Sequence, residues 1–260
     1  MSSGTGSGMV DPLLALAGLT KRFGALAAVD GVDLAVRPGT VHALIGPNGA
    51  GKTTLINLID GGLTADAGQI RFAGRPITRL PDHARARLGL ARTFQITSIF
   101  TGFTVLDNVM IAVVAAARRT WRIWRPMARD RSATDRALAL LDRVGLADLA
   151  GRSAGALAHG QKRQLEIAMA LAGDPAMLLL DEPMAGMGLE ESDELVERLS
   201  ALKAEHTILL VEHDMDAVFA LADRVTVLVA GQVLAEGAPD AIRADAAVQT
   251  AYLGVGDDAA

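Results

Sequence analysis

Apolar and polar side chains alternate along residues 13–20 and 29–36, where Val29, Val32, Leu34 and Val36 mark one face. That pattern predicts half-buried antiparallel strands. Pro38-Gly39 makes a turn into residues 41–45, a continuous apolar run expected of a strand covered on both faces. Glycines 46, 49 and 51 follow, and residues 53–59 read as a helix. Residues 69–73, ahead of Gly74, read as a further edge strand. From Leu106 to Ala172 the apolar spacing is helical, as in Leu138, Leu141 and Val144 and then in Leu165, Ala168, Met169 and Ala172. Three short apolar β-type runs, 177–180, 208–211 and 225–229, alternate with helical stretches, which suits a parallel sheet. There is no internal repeat, so the expectation is one copy of one α/β unit.

A chain of 260 residues is long enough for a full core. Its longest apolar run, residues 109–117, falls well short of the roughly 18–20 residues a membrane helix needs. Residues 1–8 are rich in Ser and Gly and lack the apolar centre of a secretory signal. The expectation is a soluble chain of the cytoplasm with a disordered lead-in over 1–12. A formal net charge of -5 disfavours a general nucleic-acid binder. The absence of cysteine excludes disulfides and thiolate metal sites, and the five histidines have no metal-ligand spacing.

The chemistry concentrates in Gly46-Pro47-Asn48-Gly49-Ala50-Gly51-Lys52-Thr53, which fits the phosphate-loop pattern at every fixed position. Its glycines let successive backbone N–H groups curl around phosphate oxygens. Lys52 is expected to reach the β- and γ-phosphates and the Thr53 hydroxyl to coordinate Mg²⁺. The flanking strand and helix are the context such a loop requires. The bland alternative is a glycine turn that happens to precede a lysine.

A second apolar run, 177–180, ends in two carboxylates, Asp181 and Glu182. Charges at the end of a buried strand are costly unless a cation faces them. Asp181 suits the Mg²⁺ shell, and Glu182 suits polarising the attacking water. The competing reading is an ordinary strand end with a solvated acidic turn.

Leu157-Ala158-His159-Gly160-Gln161, running into a helix, resembles the signature sequence of ATP-binding cassette (ABC) ATPases. The likeness continues in order through Phe23, Gln95 within Arg92-Thr93-Phe94-Gln95, Asp181-Glu182, and His213 within Glu212-His213-Asp214, and covers roughly residues 13–253. It is similar above all to the ATPase subunits of branched-chain amino acid importers. Residues 46–54, 92–95, 165–168, 212–215 and 251–254 carry that likeness. Urea and short-chain amide importer subunits are near relatives, and residues 158–162 and 185–187 lean their way.

The resemblance implies a phosphate-loop NTPase fold of the ABC-ATPase type, with an antiparallel edge sheet and a helical subdomain. It sets one nucleotide-binding domain over 13–254, the helical subdomain over about 96–172 and a tail over 255–260. It also implies that ATP and Mg²⁺ are bound by Phe23, by residues 46–53 with Thr54, and by Gln95. Phe23 would stack on adenine, although a core phenylalanine is the ordinary alternative. Gln95 would contact Mg²⁺ or water, and His213 would stabilise the transition state beside Glu182 and Lys52. Ala158, His159, Gly160 and Gln161 would face the γ-phosphate held by a second ATPase subunit, identical or not.

The other implied partners are membrane permease subunits and, indirectly, an extracytoplasmic binding protein, with the chain peripheral on the cytoplasmic face of the inner membrane. Nucleic acid is not among them. Ala158 and His159 stand where serine and glycine are usual, and Gly188 where many relatives carry an acid. Residues 118–131 hold six arginines, two tryptophans and one acid, Asp130. That stretch reads as an exposed insertion whose tryptophans pack on the helical subdomain, with contact to lipid headgroups as the alternative.

Overall fold

The computed structural model describes residues 11–93, 99–117 and 131–253. The chain opens with β1 (Leu14–Phe23), β2 (Leu26–Val36) and β3 (Val41–Ile45), then α1 (Lys52–Asp60). Next come β4 (Ala67–Phe72), β5 (Arg75–Pro76), α2 (Asp82–Arg87) and β6 (Leu90–Arg92). Helices α3 (Val105–Ala116), α4 (Arg131–Arg143) and α5 (His159–Leu171) follow. The remainder is β7 (Met177–Asp181), α6 (Leu189–Leu202), β8 (Thr207–Val211), α7 (Met215–Leu221), β9 (Arg224–Val229) and β10 (Gln232–Gly237). Helices α8 (Pro239–Ala244) and α9 (Ala246–Leu253) close it.

One sheet is antiparallel, in the order β2-β1-β4-β5. Leu14 and Leu16 of β1 pair with Val36 and Leu34 of β2, so the alternating apolar positions share one covered face. Residues 67–72 correct the expected edge position. They pair with β1 on one side and with the two-residue β5 on the other, so that β4 is an interior strand.

The second sheet runs β10-β9-β3-β8-β7-β6, parallel from β9 to β6 with β10 antiparallel at its margin. All five residues of β3, β7 and β8 are buried, because both faces of this sheet are covered. Leu178, Leu180, Ile208 and Leu210 pack toward the core shared with α3, α4 and α5. Met177, Leu179, Leu209 and Val211 pack toward α1 and the antiparallel sheet. The period-2 geometry of a strand thus serves two cores with one apolar run.

Helix α3 starts at a reciprocal cap: Thr104 Oγ1 accepts from the Asp107 N–H at 3.0 Å, and Asp107 accepts from the Thr104 N–H at 3.2 Å. In α4 the inward face is Ala133, Ala137, Leu140 and Leu141, whereas Leu138 is exposed. Leu138 thus falls outside the expected stripe, whose place is taken by Ala137 and Leu140, although Leu141 and Val144 are buried as expected. No helix among the described residues is long and apolar enough to cross a membrane.

Candidate functional site

Parallel pairing sets one carboxyl edge. Leu44 pairs with Val211, Val211 with Asp181, and Arg92 with Leu179. Chain leaving β3, β8 and β7 therefore emerges side by side, carrying the loop 46–51, Glu212-His213 and Asp181-Glu182. Loops at the carboxyl ends of parallel strands are where open α/β sheets hold their ligands.

The loop lies tight against its neighbours. Gly46 has φ 154°, and a Cβ there would stand 2.1 Å from the Leu228 carbonyl oxygen. Gly51 has φ 101°, and its Cβ would stand 2.2 Å from the Ala28 carbonyl oxygen. Only glycine fits either place. Gly51 is also the N-cap of α1, whose first turn has neither a side-chain cap nor an acidic residue. The opening N–H groups of that helix and its partial positive charge thus suit an anion.

Lys52 begins α1, and its ammonium donates to the carbonyls of Gly46 at 2.6 Å and Pro47 at 3.0 Å. Burial pushes it below the ordinary lysine range, with the charges of Glu182 and then Asp181 acting against that fall. Thr53 is exposed in the first turn and Thr54 half-buried, while Asn48 and Gly49 are exposed and Ala50 is buried.

Asp181 is 1% exposed, so the solvated acidic turn is not what the chain builds. The cation facing it is Arg92. One Arg92 nitrogen donates to Asp181 Oδ2 at 3.0 Å, and the other donates to Asn57 Oδ1 at 2.6 Å and to Asp60 Oδ2. Arg92 therefore ties β6, α1 and β7 together.

Glu182 is half-buried on a backbone with φ 48°, a left-handed conformation rare outside glycine. Its N–H donates to the Val211 carbonyl at 2.8 Å. The Met184 N–H donates to Glu212 Oε1 at 2.8 Å, and the His213 N–H to Glu212 Oε2 at 3.1 Å. Burial pushes the Glu212 carboxyl up, opposed by these N–H donors. The His213 side chain is 64% exposed, with Nδ1 3.8 Å from Glu212 Oε2.

Ala158 is the N-cap of α5 and offers no side-chain acceptor, yet Gln161 Oε1 reaches back to accept from the Ala158 N–H at 3.1 Å. Gly160 is buried, and a Cβ there would lie 3.3 Å from Glu191 Oε2. His159 is exposed beside Gly186, and Glu191 accepts from the Gly188 N–H at 3.3 Å. An acidic side chain thus reaches this segment from α6 although Gly188 has none.

Within the chain His159, of the 158–161 segment, shares a cavity with Glu182. The cavity, of about 160 Å³, is lined by His159, Lys162, Arg163, Glu166, Asp181, Glu182 and Ala185, with no residue of 46–53. Phe23 ends β1 at 49% exposure, with the Lys21 ammonium 5.6 Å from its ring centre, so it is not a core phenylalanine. Gln95 and the arginine-rich stretch 118–130 lie outside the described residues.

Sequence reasoning demanded a cation opposite Asp181 but did not name Arg92, although Arg92 heads the quoted 92–95 segment. Arg163, woven into the Glu182 turn, was also missed, and Glu212, quoted beside His213, was given no role. A buried strand end with two acids is the signal that calls for such partners.

Comparison with known proteins identifies the family and the fold. The family model described as ABC transporter matches residues 29–185. A model described as Branched-chain amino acid ATP-binding cassette transporter matches residues 232–258. The high-affinity branched-chain amino acid transport ATP-binding protein BraF of Pseudomonas aeruginosa is 42% identical over 256 residues, covering 95% of this chain and 99% of the relative. The corresponding protein LivG of Escherichia coli (strain K12) is 40% identical with the same coverage.

Among solved structures, a nucleotide-free ATP-binding cassette from an ABC transporter superposes with a TM-score of 0.83 at 31% identity, over 93% of this chain and 98% of that one. An ADP conformation of such a cassette gives 0.83 at 32% identity, over 94% and 99%. Along nearly its whole length the chain belongs to the ABC transporter family as an ATP-binding cassette.

Proposed function

We propose that this chain is the ATP-hydrolysing subunit of an importer for branched-chain amino acids, working peripherally on the cytoplasmic face of a membrane beneath separate permease subunits. The cargo reading rests on the two curated relatives and on the match over residues 232–258. Those relatives' names favour branched-chain amino acids over urea or short-chain amides. The observation that carries hydrolysis is the convergence at one sheet edge of the loop 46–53, buried Asp181 and the pinned Glu182 turn.

In this reading residues 13–254 form one nucleotide domain, with 96–172 as its helical insert. The N–H groups of 46–54 and the Lys52 ammonium hold the β- and γ-phosphates, and Phe23 stacks on adenine. Thr53 and Asp181 suit Mg²⁺, which favours a few oxygen ligands beside phosphate and water; Gln95 joins them. The bound cation would supply charge neutralisation at the phosphates. Glu182 takes the proton of the attacking water, and His213 swings its exposed ring to donate to the γ-phosphate.

Ala158, His159, Gly160 and Gln161 serve the nucleotide of a second subunit. That fits the cavity His159 shares with Glu182, whose lining includes no residue of the loop 46–53. Closure on ATP and opening after hydrolysis would move the permease between its two faces.

The test is the concentration dependence of phosphate release. Turnover per chain should rise with protein concentration, and Lys52→Ala should lose ATP binding. A rate per chain independent of concentration would refute the shared site. ATP-dependent uptake of leucine, and not urea, by vesicles carrying the permease would support the cargo.

A further inference from the structure

We propose that Arg163 is a positioning residue through which helix α5 sets the placement of the Glu182 base in the same chain. The proposal rests on the reading of Glu182 given above and extends it to a residue outside the phosphate loop, the strand-end acids and the 158–161 segment.

The Glu182 backbone has φ 48°, and a non-glycine residue holds that conformation only where its surroundings dictate it. Two restraints come from the adjoining strand and its exit, the Val211 carbonyl and the Glu212 carboxylate. A third comes from elsewhere. Arg163 Nη2 donates to the carbonyl of Asp181 at 2.8 Å and to that of Glu182 at 3.1 Å.

The other arm of the same guanidinium donates to Glu166 Oε2 at 2.8 Å, one turn further along α5. Both side chains are nearly buried, at 12% and 5% exposure. Glu166 thus fixes the fork, and the fork grips both carbonyls of the turn. A planar guanidinium can do this at once, whereas an ammonium has no second arm to spread across the two sites.

What makes the contact more than a brace is the origin of the helix. Arg163 lies one turn after His159, so the two share a face of α5, and both line the cavity that reaches Glu182. Ala158 and His159 open that helix at the surface offered to a second subunit's nucleotide. A shift of α5 on its axis moves the guanidinium and, with it, the two carbonyls that orient the base. The state of the segment facing the second nucleotide is thereby felt at Glu182.

The experiment uses the full chain with Arg163→Gln, Arg163→Lys and Glu166→Gln, measuring ATP affinity, kcat for phosphate release and amide hydrogen exchange. Loss of a charge-assisted grip predicts a fall in kcat of about 10- to 100-fold for Arg163→Gln, with ATP affinity held within about twofold. Exchange should quicken over residues 182–185 while the strand 177–180 stays protected. Arg163→Lys and Glu166→Gln should fall between Arg163→Gln and the parent in both measurements.

An unchanged kcat in Arg163→Gln, or exchange over 182–185 equal to the parent, overturns the proposal. A global rise in exchange would mark Arg163 as a fold residue and also overturns it. If the parent chain releases no phosphate, the ATPase reading fails, and the exchange measurement still decides whether Arg163 holds the turn.

Discussion

Replacing Arg92 by methionine keeps an unbranched, apolar stem on β6 and removes the charge. In the structure that charge serves two acids, Asp181 at 1% and Asp60 at 17% side-chain exposure, and is itself 14% exposed. Removing one member of a buried pair costs about 3–5 kcal/mol, because the remaining charge stays buried without compensation. Two features lower the figure here. Asp60 keeps some contact with water, and the Lys52 ammonium still acts on Asp181. The expected loss is therefore about 3 kcal/mol, which for a chain of this size lowers the thermal midpoint by about 6–12 °C.

The assay is thermal unfolding followed by circular dichroism at pH 7 and fixed salt, for Arg92→Met, Asp60→Asn and the double variant. Removing an acid already stripped of its partner should cost little or even help, so the two changes should couple by about 1–3 kcal/mol. If Arg92→Met lies within about 0.5 kcal/mol of the parent, as an ordinary surface change would, the network carries no stability and the argument from burial is refuted. Strict additivity with Asp60→Asn would refute it as well.

Two further outcomes follow from buried polar groups. His42 is 1% exposed and bonded to Thr226 Oγ1, and burial lowers it to about 4, with Arg224 assisting and Glu236 opposing. The unfolded chain takes that proton near pH 6.5 and the folded chain does not, so this contribution is full above about 6.5 and is lost as pH falls toward about 4. The full effect is about 3 kcal/mol, and His42→Gln should flatten the acid limb of a stability-against-pH curve; parallel limbs would contradict it. Arg85 is 2% exposed and donates to the carbonyls of Leu58, Ile59, Leu80 and Thr78, closing the last turn of α1. Arg85→Ala should cost about 3–5 kcal/mol in the same thermal assay, and a midpoint near the parent's would show that water replaces the guanidinium there.

The phosphate loop and the strands β3, β7, β8 and β9 were legible because each has a local signature. A fixed glycine spacing marks the loop, and runs covered on both faces mark the strands. The same holds for the carboxyl-edge placement of His213, which follows from β8 being a parallel strand. Strand β6 was not legible, since three residues are too few for any period to show. Leu138 failed for a different reason: alanines 133 and 137 line the inward face of α4, and a search for large apolar residues passes over them.

The polar lattice around Asp181 and Glu182 was least legible. Arg92 reaches Asn57 and Asp60 across 35 and 32 positions of sequence, and Arg163 reaches Glu182 across 19. No spacing rule announces such pairs. Only the cost of burying an acid does, and it names the need without naming the partner.

The proposed function stands most directly on Glu182 as general base, carried by a pinned, left-handed turn at the sheet edge that also bears the phosphate loop. The measurement is phosphate release by Glu182→Gln at saturating ATP and Mg²⁺, at a protein concentration where the parent turns over. Losing a general base lowers the rate about 10²- to 10⁴-fold. The account predicts a loss of that order with ATP binding retained. Turnover of Glu182→Gln at the parent's rate would contradict it.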